Sequence, residues 1–199
     1  MSLCIITLTR NQIKRMTRLD KLIDEVAEAR EDYITHVGEL TSLQSKFKPS
    51  VEIWSITENT EHLVWGEQIG IMGVWTALEG MKNNKPIWRG DPVHAGLTIE
   101  EIVAKTWKEK EVSQEMARPK WGGALEYWIS ALRNNQSLLI SLAHALNGFN
   151  LEEIIYPHPI SGPLDVFQRI EFFRFHLNRH QAQVERAKSH RDFPNESWK

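Results

Sequence analysis

Two histidines near the end of the chain have the residue type and the spacing of a metal-binding pair. His176 and His180 lie within the segment Arg174–Gln183. An i, i+4 spacing places two side chains on one helix face, about one turn apart. Phe173 and Leu177 fall on the same side, so both imidazoles are predicted to face the core. A buried imidazole without a polar partner costs about 1–3 kcal/mol, and we predict that its partner is a divalent metal ion.

A third imidazole, His62, belongs to another predicted helix and shares a face with Gly66 and Gly73. Glycines at this density indicate close packing of a neighbouring helix or room for a ligand. Neutral imidazoles suit Zn, Ni, Cu or Fe, and three protein ligands leave a position open for water or substrate. A histidine pair alone more often belongs to an ordinary core or surface, so the hypothesis requires two helices to bring the three rings together.

Apolar residues that recur with a helical period predict the elements that position these histidines. Four long helices and one short helix are expected, at Arg18 to about Ser45, Ser55 to about Met81, Thr98 to about Glu115, Leu125 to Asn147, and Leu164 to Ser189. Thr98 and Glu101 form a capping box at the start of the short helix. Because no segment shows the period of a strand, the predicted fold is all-α, a four-helix bundle with long crossover connections plus one short extra helix.

The 199 residues favour one domain, which we place at 16–190. Residues 1–15 are predicted to be a loosely ordered N-terminal extension, and 191–199 a polar tail. The net charge of -2 gives no electrostatic reason to expect nucleic acid or a membrane surface as a partner. The single Cys4, and the lack of a basic region before the apolar patch near the N-terminus, favour a cytoplasmic protein.

Two motifs give the chain a resemblance to a known family. Residues 54–63 read Trp-Ser-Ile-Thr-Glu-Asn-Thr-Glu-His-Leu, and residues 158–165 contain His-Pro and then Gly-Pro-Leu-Asp. The latter lead into a final helix with the pattern His-x-x-x-His-x-x-Gln at 176–183. In the order and separation of these motifs, residues 18–188 resemble the DinB-like, or YfiT-like, family of metal-binding four-helix bundles.

The resemblance implies a triad of His62, His176 and His180 around one nickel or zinc ion per chain, in a protein that is often a homodimer. Relatives with assigned activities resemble thiol-dependent enzymes, namely transferases that use bacillithiol and isomerases that use mycothiol or glutathione. Others are described as metal-dependent hydrolases, and many have no known activity. The expected function is therefore activation of a low-molecular-weight thiol, or of water, by the metal for attack on an electrophilic small molecule.

Glu58 and Asn59 are the candidate catalytic residues. Glu58 precedes His62 by four residues on the same predicted helix face, and either side chain could orient the bound nucleophile or accept its proton. Glu58 is equally well explained as a solvated carboxylate at a helix start. Two other functions stay open at this stage. One is a metal- or small-molecule-binding bundle of the stress response without catalysis. The other is a helical interaction module in which backbone groups or carboxylates satisfy the three histidines.

Overall fold

Four long helices dominate the computed structural model, which describes residues 16–108 and 114–195. They are α1 (Arg18–Val37), α3 (Ile56–Lys82), α5 (Leu125–Ala145) and α6 (Val166–Lys188). The shorter elements are α2 (Ser42–Ser45), α4 (Ile99–Thr106), a 3-10 turn (Glu115–Ala117), and the strands β1 (Ile155–His158) and β2 (Gly162–Asp165). Both α1 and α3 pack against α5 and α6. The chain is thus mostly helical, as the sequence predicts.

Side-chain caps set where the important helices begin. The side chain of Ser55 accepts a hydrogen bond from the backbone of Glu58, whose carboxylate accepts one from the backbone of Ser55 in return. Asp165 caps α6 in the same reciprocal manner, and the predicted capping box of Thr98 and Glu101 starts α4. Reciprocal capping satisfies backbone N–H groups that a helix start leaves without partners. The caps of α3 and α6 therefore fix the starts of the two helices that hold the candidate metal ligands.

A buried ion pair crosses the apolar core and joins three of the long helices. Arg30 of α1 and Glu67 of α3 are 1% and 0% exposed, and Nη2 lies 3.0 Å from Oε2. Asn135 of α5 donates to the same carboxylate oxygen at 3.1 Å, and Gln136 accepts from the guanidinium. Burial raises the pKa of Glu67, although Arg30 opposes the effect. Removing either partner would leave a charge buried without compensation.

The prediction that no strand is present is wrong for residues 155–165. There β1 and β2 form an antiparallel pair, with Ile155 opposite Asp165 and His158 opposite Gly162. Each strand has four residues and each includes a proline. Segments this short cannot display a clear period of two, and proline normally argues against a strand. The hairpin packs against α3 and α6, so tertiary contacts rather than local pattern select it.

Two predicted helices end earlier than expected. The first was expected to reach Ser45, but α1 ends at Val37. Thr41 then caps the separate single turn of α2. The short helix was expected to reach Glu115, but α4 ends at Thr106.

The predicted extension at 1–15 lies outside the described residues, as do 109–113 and the last four residues of the predicted tail. Within the tail, the ring of Phe193 packs edge-on against Phe47, with centroids 5.4 Å apart. In the described ranges, no helix has both the length and the apolar character to cross a membrane.

Candidate metal centre

The imidazoles of His62, His176 and His180 meet between α3 and α6. Nε2 of His176 lies 3.0 Å from Nε2 of His62 and 3.0 Å from Nε2 of His180. All three residues are buried, and one nitrogen from each lies within 4.8 Å of the other two. The two helices therefore bring together the three residues that the sequence singles out.

In two of the rings, the hydrogen bond at Nδ1, the nitrogen that points away from the centre of the triad, determines which nitrogen carries the proton. Nδ1 of His62 lies 2.7 Å from the carbonyl oxygen of Ala117, and Nδ1 of His180 lies 2.7 Å from Oδ1 of Asn59. The Asn59 amide is oriented because its Nδ2 donates to the carbonyl oxygens of Trp54 and Ser55. Both partners of the rings are acceptors, so each Nδ1 must donate. In a neutral ring this leaves the lone pair on Nε2, which faces the other histidines.

Burial keeps the three imidazoles neutral. It lowers the pKa of His62 against the opposing effect of the Ala117 carbonyl. It also lowers the pKa of His180, and of His176, well below the usual range, and the neighbouring imidazoles add to the effect. Neutral histidine is the form that binds metals.

Hydrogen bonding alone cannot satisfy the centre of the triad. A neutral His176 has at most one proton on Nε2, so it can donate to His62 or to His180 but not to both. A divalent cation would accept all three lone pairs. Tetrahedral coordination with bonds of about 2.0–2.1 Å puts nitrogen ligands about 3.4 Å apart. Two of the three nitrogen pairs are 3.0 Å apart, and the third pair lies within 4.8 Å. The donor set therefore fits zinc or nickel.

A buried carboxylate that the sequence reading missed supports this geometry. Glu61 is fully buried and accepts hydrogen bonds from the backbone N–H groups of Lys120, Trp121 and Gly122 at 2.7–2.9 Å. This loop follows the 3-10 turn that ends at Ala117, whose carbonyl orients His62. Its position next to His62 is the one signal in the sequence that could have identified it.

Glycines on α3 give α6 room to approach. A Cβ atom at Gly66 would lie 3.2 Å from Cε1 of His176, and one at Gly70 would lie 2.5 Å from Cε1 of Phe173. Both positions are tighter than ordinary van der Waals contact. The glycines therefore allow the close helix packing that places His176 beside His62.

The two candidate catalytic residues occupy different environments. Glu58 belongs to the cap of α3 and lies 2.9 Å from Nζ of Lys48. Burial raises its pKa, but hydrogen bonds from Ser55 and Lys48 produce a net lowering. Asn59 holds the outer nitrogen of His180, so it orients a candidate ligand. These contacts account for Glu58 as a helix-start carboxylate and for Asn59 as a positioning residue.

A cavity of about 940 Å³ opens beside the triad. Its aromatic lining comprises Trp54, Trp107, Tyr156, Phe172 and Phe173, and its arginines are Arg118, Arg169, Arg179 and Arg186. The ring of Phe172 stacks on His176, with centroids 5.5 Å apart. The volume suits a drug-sized or smaller organic molecule. The cavity therefore has room for a small molecule next to the three imidazoles.

The fold and the site together define a helical protein with a buried set of three histidines that can hold a metal ion. The DinB superfamily profile matches residues 25–184. The chain belongs to the DinB superfamily, which confirms the resemblance drawn from its motifs. Neither the curated proteins nor the solved structures include a match to this chain.

Proposed function

We propose that the protein is a metal-dependent enzyme in which His62, His176 and His180 hold one divalent ion, nickel or zinc. The observation that supports this most strongly is the convergence of three neutral imidazoles whose nitrogen atoms cannot all satisfy one another. Such an ion would act as a Lewis acid and lower the pKa of a thiol or of water in the cavity. The reaction would be attack of that nucleophile on an electrophilic small molecule, as in a thiol S-transferase or a hydrolase.

The chain's own residues give this site its preorganisation. Asn59 and the Ala117 carbonyl hold two imidazoles in the tautomer that presents Nε2 to the centre. Hydrogen bonds to the outer nitrogen of a ligand fix the orientation of the ring and increase its basicity. The rings of Phe172 and Trp54 lie nearly parallel to those of His176 and His180, respectively, and form an apolar side of the site. A low-polarity surround strengthens every electrostatic interaction in the site.

We also propose that α1, α3, α5 and α6 form the four-helix bundle that the family resemblance implies. The pairwise packing of α1 and α3 with both α5 and α6 supports this arrangement. The small-molecule partner, the thiol cosubstrate, the homodimer and the cytoplasmic location are proposed with it.

Elemental mass spectrometry of protein purified without an affinity tag or chelator tests the metal. The His62→Ala and His180→Ala variants would be compared with His190→Ala, which removes a histidine from the cavity wall outside the triad. We expect about one metal ion per chain in the wild type and in His190→Ala, and loss of the metal from the other two. No metal in the wild type, with no thermal stabilisation by added zinc or nickel, would refute the proposal.

The loaded protein would then be assayed with glutathione, bacillithiol and mycothiol against an electrophile, and with ester substrates. We expect turnover that His180→Ala abolishes and His190→Ala retains. Full metal occupancy without turnover would instead favour a metal-binding protein that does not catalyse a reaction.

A further inference from the structure

A guanidinium buried in the cavity wall has two nitrogens without a hydrogen-bond partner among the described residues. Arg169 of α6 is 4% exposed and lines the cavity. Its Nε and Nη1 atoms are buried without a hydrogen-bond partner among the described residues. A buried charge is normally paired, because leaving it unpaired costs several kcal/mol. An arginine on the exposed face of a helix is hydrated by water and needs no other partner. A cation buried in a cavity wall does need one.

The surroundings of Arg169 favour a charged guanidinium that can bind an anion. Its Cζ lies 5.3 Å from the centroid of the Tyr156 ring, a cation–π contact. Burial lowers the pKa of Arg169 to about 10, so the group is still protonated at neutral pH. Among the described residues that line the cavity, four are arginines and one, Glu52, has a carboxylate. The side chains that line the cavity therefore have a positive formal charge, although Glu115 pairs with one of them, Arg118.

A neutral hydrogen-bond donor lies on the same wall. Nδ1 of His158 accepts hydrogen bonds from the backbone N–H groups of Ile160 and Ser161 at 3.3 and 3.1 Å. Burial and the nearby Arg169 lower the pKa of His158 to about 3, so the ring is neutral. Its one proton is therefore on Nε2. Arg169 is the one buried arginine among the described lining residues, and it and one neutral donor suit a monoanion better than a phosphate dianion.

Arg169 and the triad lie at a distance that a small molecule can span. Arg169 precedes His176 by seven residues on α6, about 10 Å along the axis. On α3, Gly70 faces Nη2 of Arg169 and Gly66 faces His176, which is a separation of about 6 Å along that helix. A ligand held by its charged end at Arg169 can therefore extend to the three imidazoles.

We propose that Arg169 binds the carboxylate of the small molecule that the cavity accepts, so that the substrates of this site are small organic acids. The inference rests on the proposed function, since it names the substrate class of the same cavity. Arg169 would hold the carboxylate, His158 would donate a second hydrogen bond, and the aromatic walls would pack against the apolar part of the acid. Arginine suits this role because its planar guanidinium matches the geometry of a carboxylate.

The test uses metal-free protein, so that no probe can bind through a metal. Phenylacetate, the neutral phenylacetamide and inorganic phosphate would be titrated by calorimetry at pH 7.5. We expect phenylacetate to bind at least tenfold more tightly than phenylacetamide or phosphate. Equal binding of the amide would overturn the anionic requirement, and tighter binding of phosphate would overturn the carboxylate.

The variants are Arg169→Met, which keeps an unbranched apolar stem without the guanidinium and its charge, and Arg186→Gln, which removes an exposed arginine of the same cavity. Phenylacetate affinity should fall at least tenfold in Arg169→Met and change less than twofold in Arg186→Gln. Arg169→Met loses the contact with the Tyr156 ring but also removes the cost of a buried charge without an ion pair, so it should unfold at the same urea concentration as the wild type, or a higher one. Unchanged phenylacetate affinity in a folded Arg169→Met variant would refute the proposal.

These results are independent of the metal measurement. A protein that binds metal but not phenylacetate would contradict the assignment of Arg169 alone. A protein that binds phenylacetate through Arg169 but no metal would contradict the proposed metal centre alone.

Discussion

Asn59 offers the sharpest test of how the structure prepares the triad. Its Oδ1 accepts the hydrogen bond from Nδ1 of His180 at 2.7 Å. In the Asn59→Ala variant, that N–H would lose its acceptor, and the ring would be free to turn or to change tautomer. Loss of the group that holds the outer nitrogen of a metal ligand typically lowers metal affinity about 10- to 100-fold, which corresponds to about 1.4–2.7 kcal/mol. Competition with a fluorescent chelator would measure the dissociation constant for zinc.

The matched control is Asn135→Ala, because Asn135 is also a buried asparagine that donates to a backbone carbonyl and to a side chain, at Val64 and Glu67. It should lower the free energy of unfolding without changing zinc affinity. The Asn59→Asp variant keeps an oxygen acceptor and should lose less affinity than Asn59→Ala. Wild-type affinity in a folded Asn59→Ala variant, or an equal loss in Asn135→Ala, would refute the reasoning.

Three further perturbations probe the helix contact, the core and the titration of the site. Gly66→Ala would put a methyl group 3.2 Å from the His176 ring, and chelator competition should show weaker zinc binding. Gly66→Ser then tests whether a larger side chain weakens zinc binding further. Arg30→Met would leave Glu67 buried without its partner and should lower the free energy of unfolding, measured with urea, by about 3–5 kcal/mol. The metal stoichiometry should not change. A loss below about 1 kcal/mol would contradict the importance of the ion pair. Histidines with lowered pKa values bind fewer protons in the folded than in the unfolded state. The free energy of unfolding of metal-free protein should therefore fall as the pH drops below about 6.5. The fall should be shallower in the His158→Gln variant, because this variant lacks a group whose pKa is lowered to about 3.

The long helices were predictable because their signals are local and repeated. Apolar periodicity extends over many turns of α3 and α6, and residues such as Thr98 and Glu101 mark a helix start by their own chemistry. The i, i+4 spacing of His176 and His180 was likewise visible, since it places both rings on one face of any helix that includes them.

The rest depends on contacts between segments distant in sequence. Tyr156 belongs to the β1–β2 hairpin, which packs against α3. Its ring lies over Gly73 of α3, where a side chain would collide with it. From the sequence, Glu61 resembles a surface carboxylate, because the backbone groups at 120–122 that donate to it are distant along the chain. An arginine in a helix normally points to water, so the burial of Arg169 was not evident. Its spacing of seven residues from His176 was the available hint that both lie on the same face.

The central claim is that three imidazoles from α3 and α6 hold one metal ion. Crystals of zinc-loaded protein, with diffraction measured on both sides of the zinc absorption edge, test it most directly. We predict one anomalous peak per chain, about 2.0–2.1 Å from Nε2 of His62, His176 and His180. A zinc peak that appears only at other histidines, with the triad nitrogens still in mutual contact, would contradict the account.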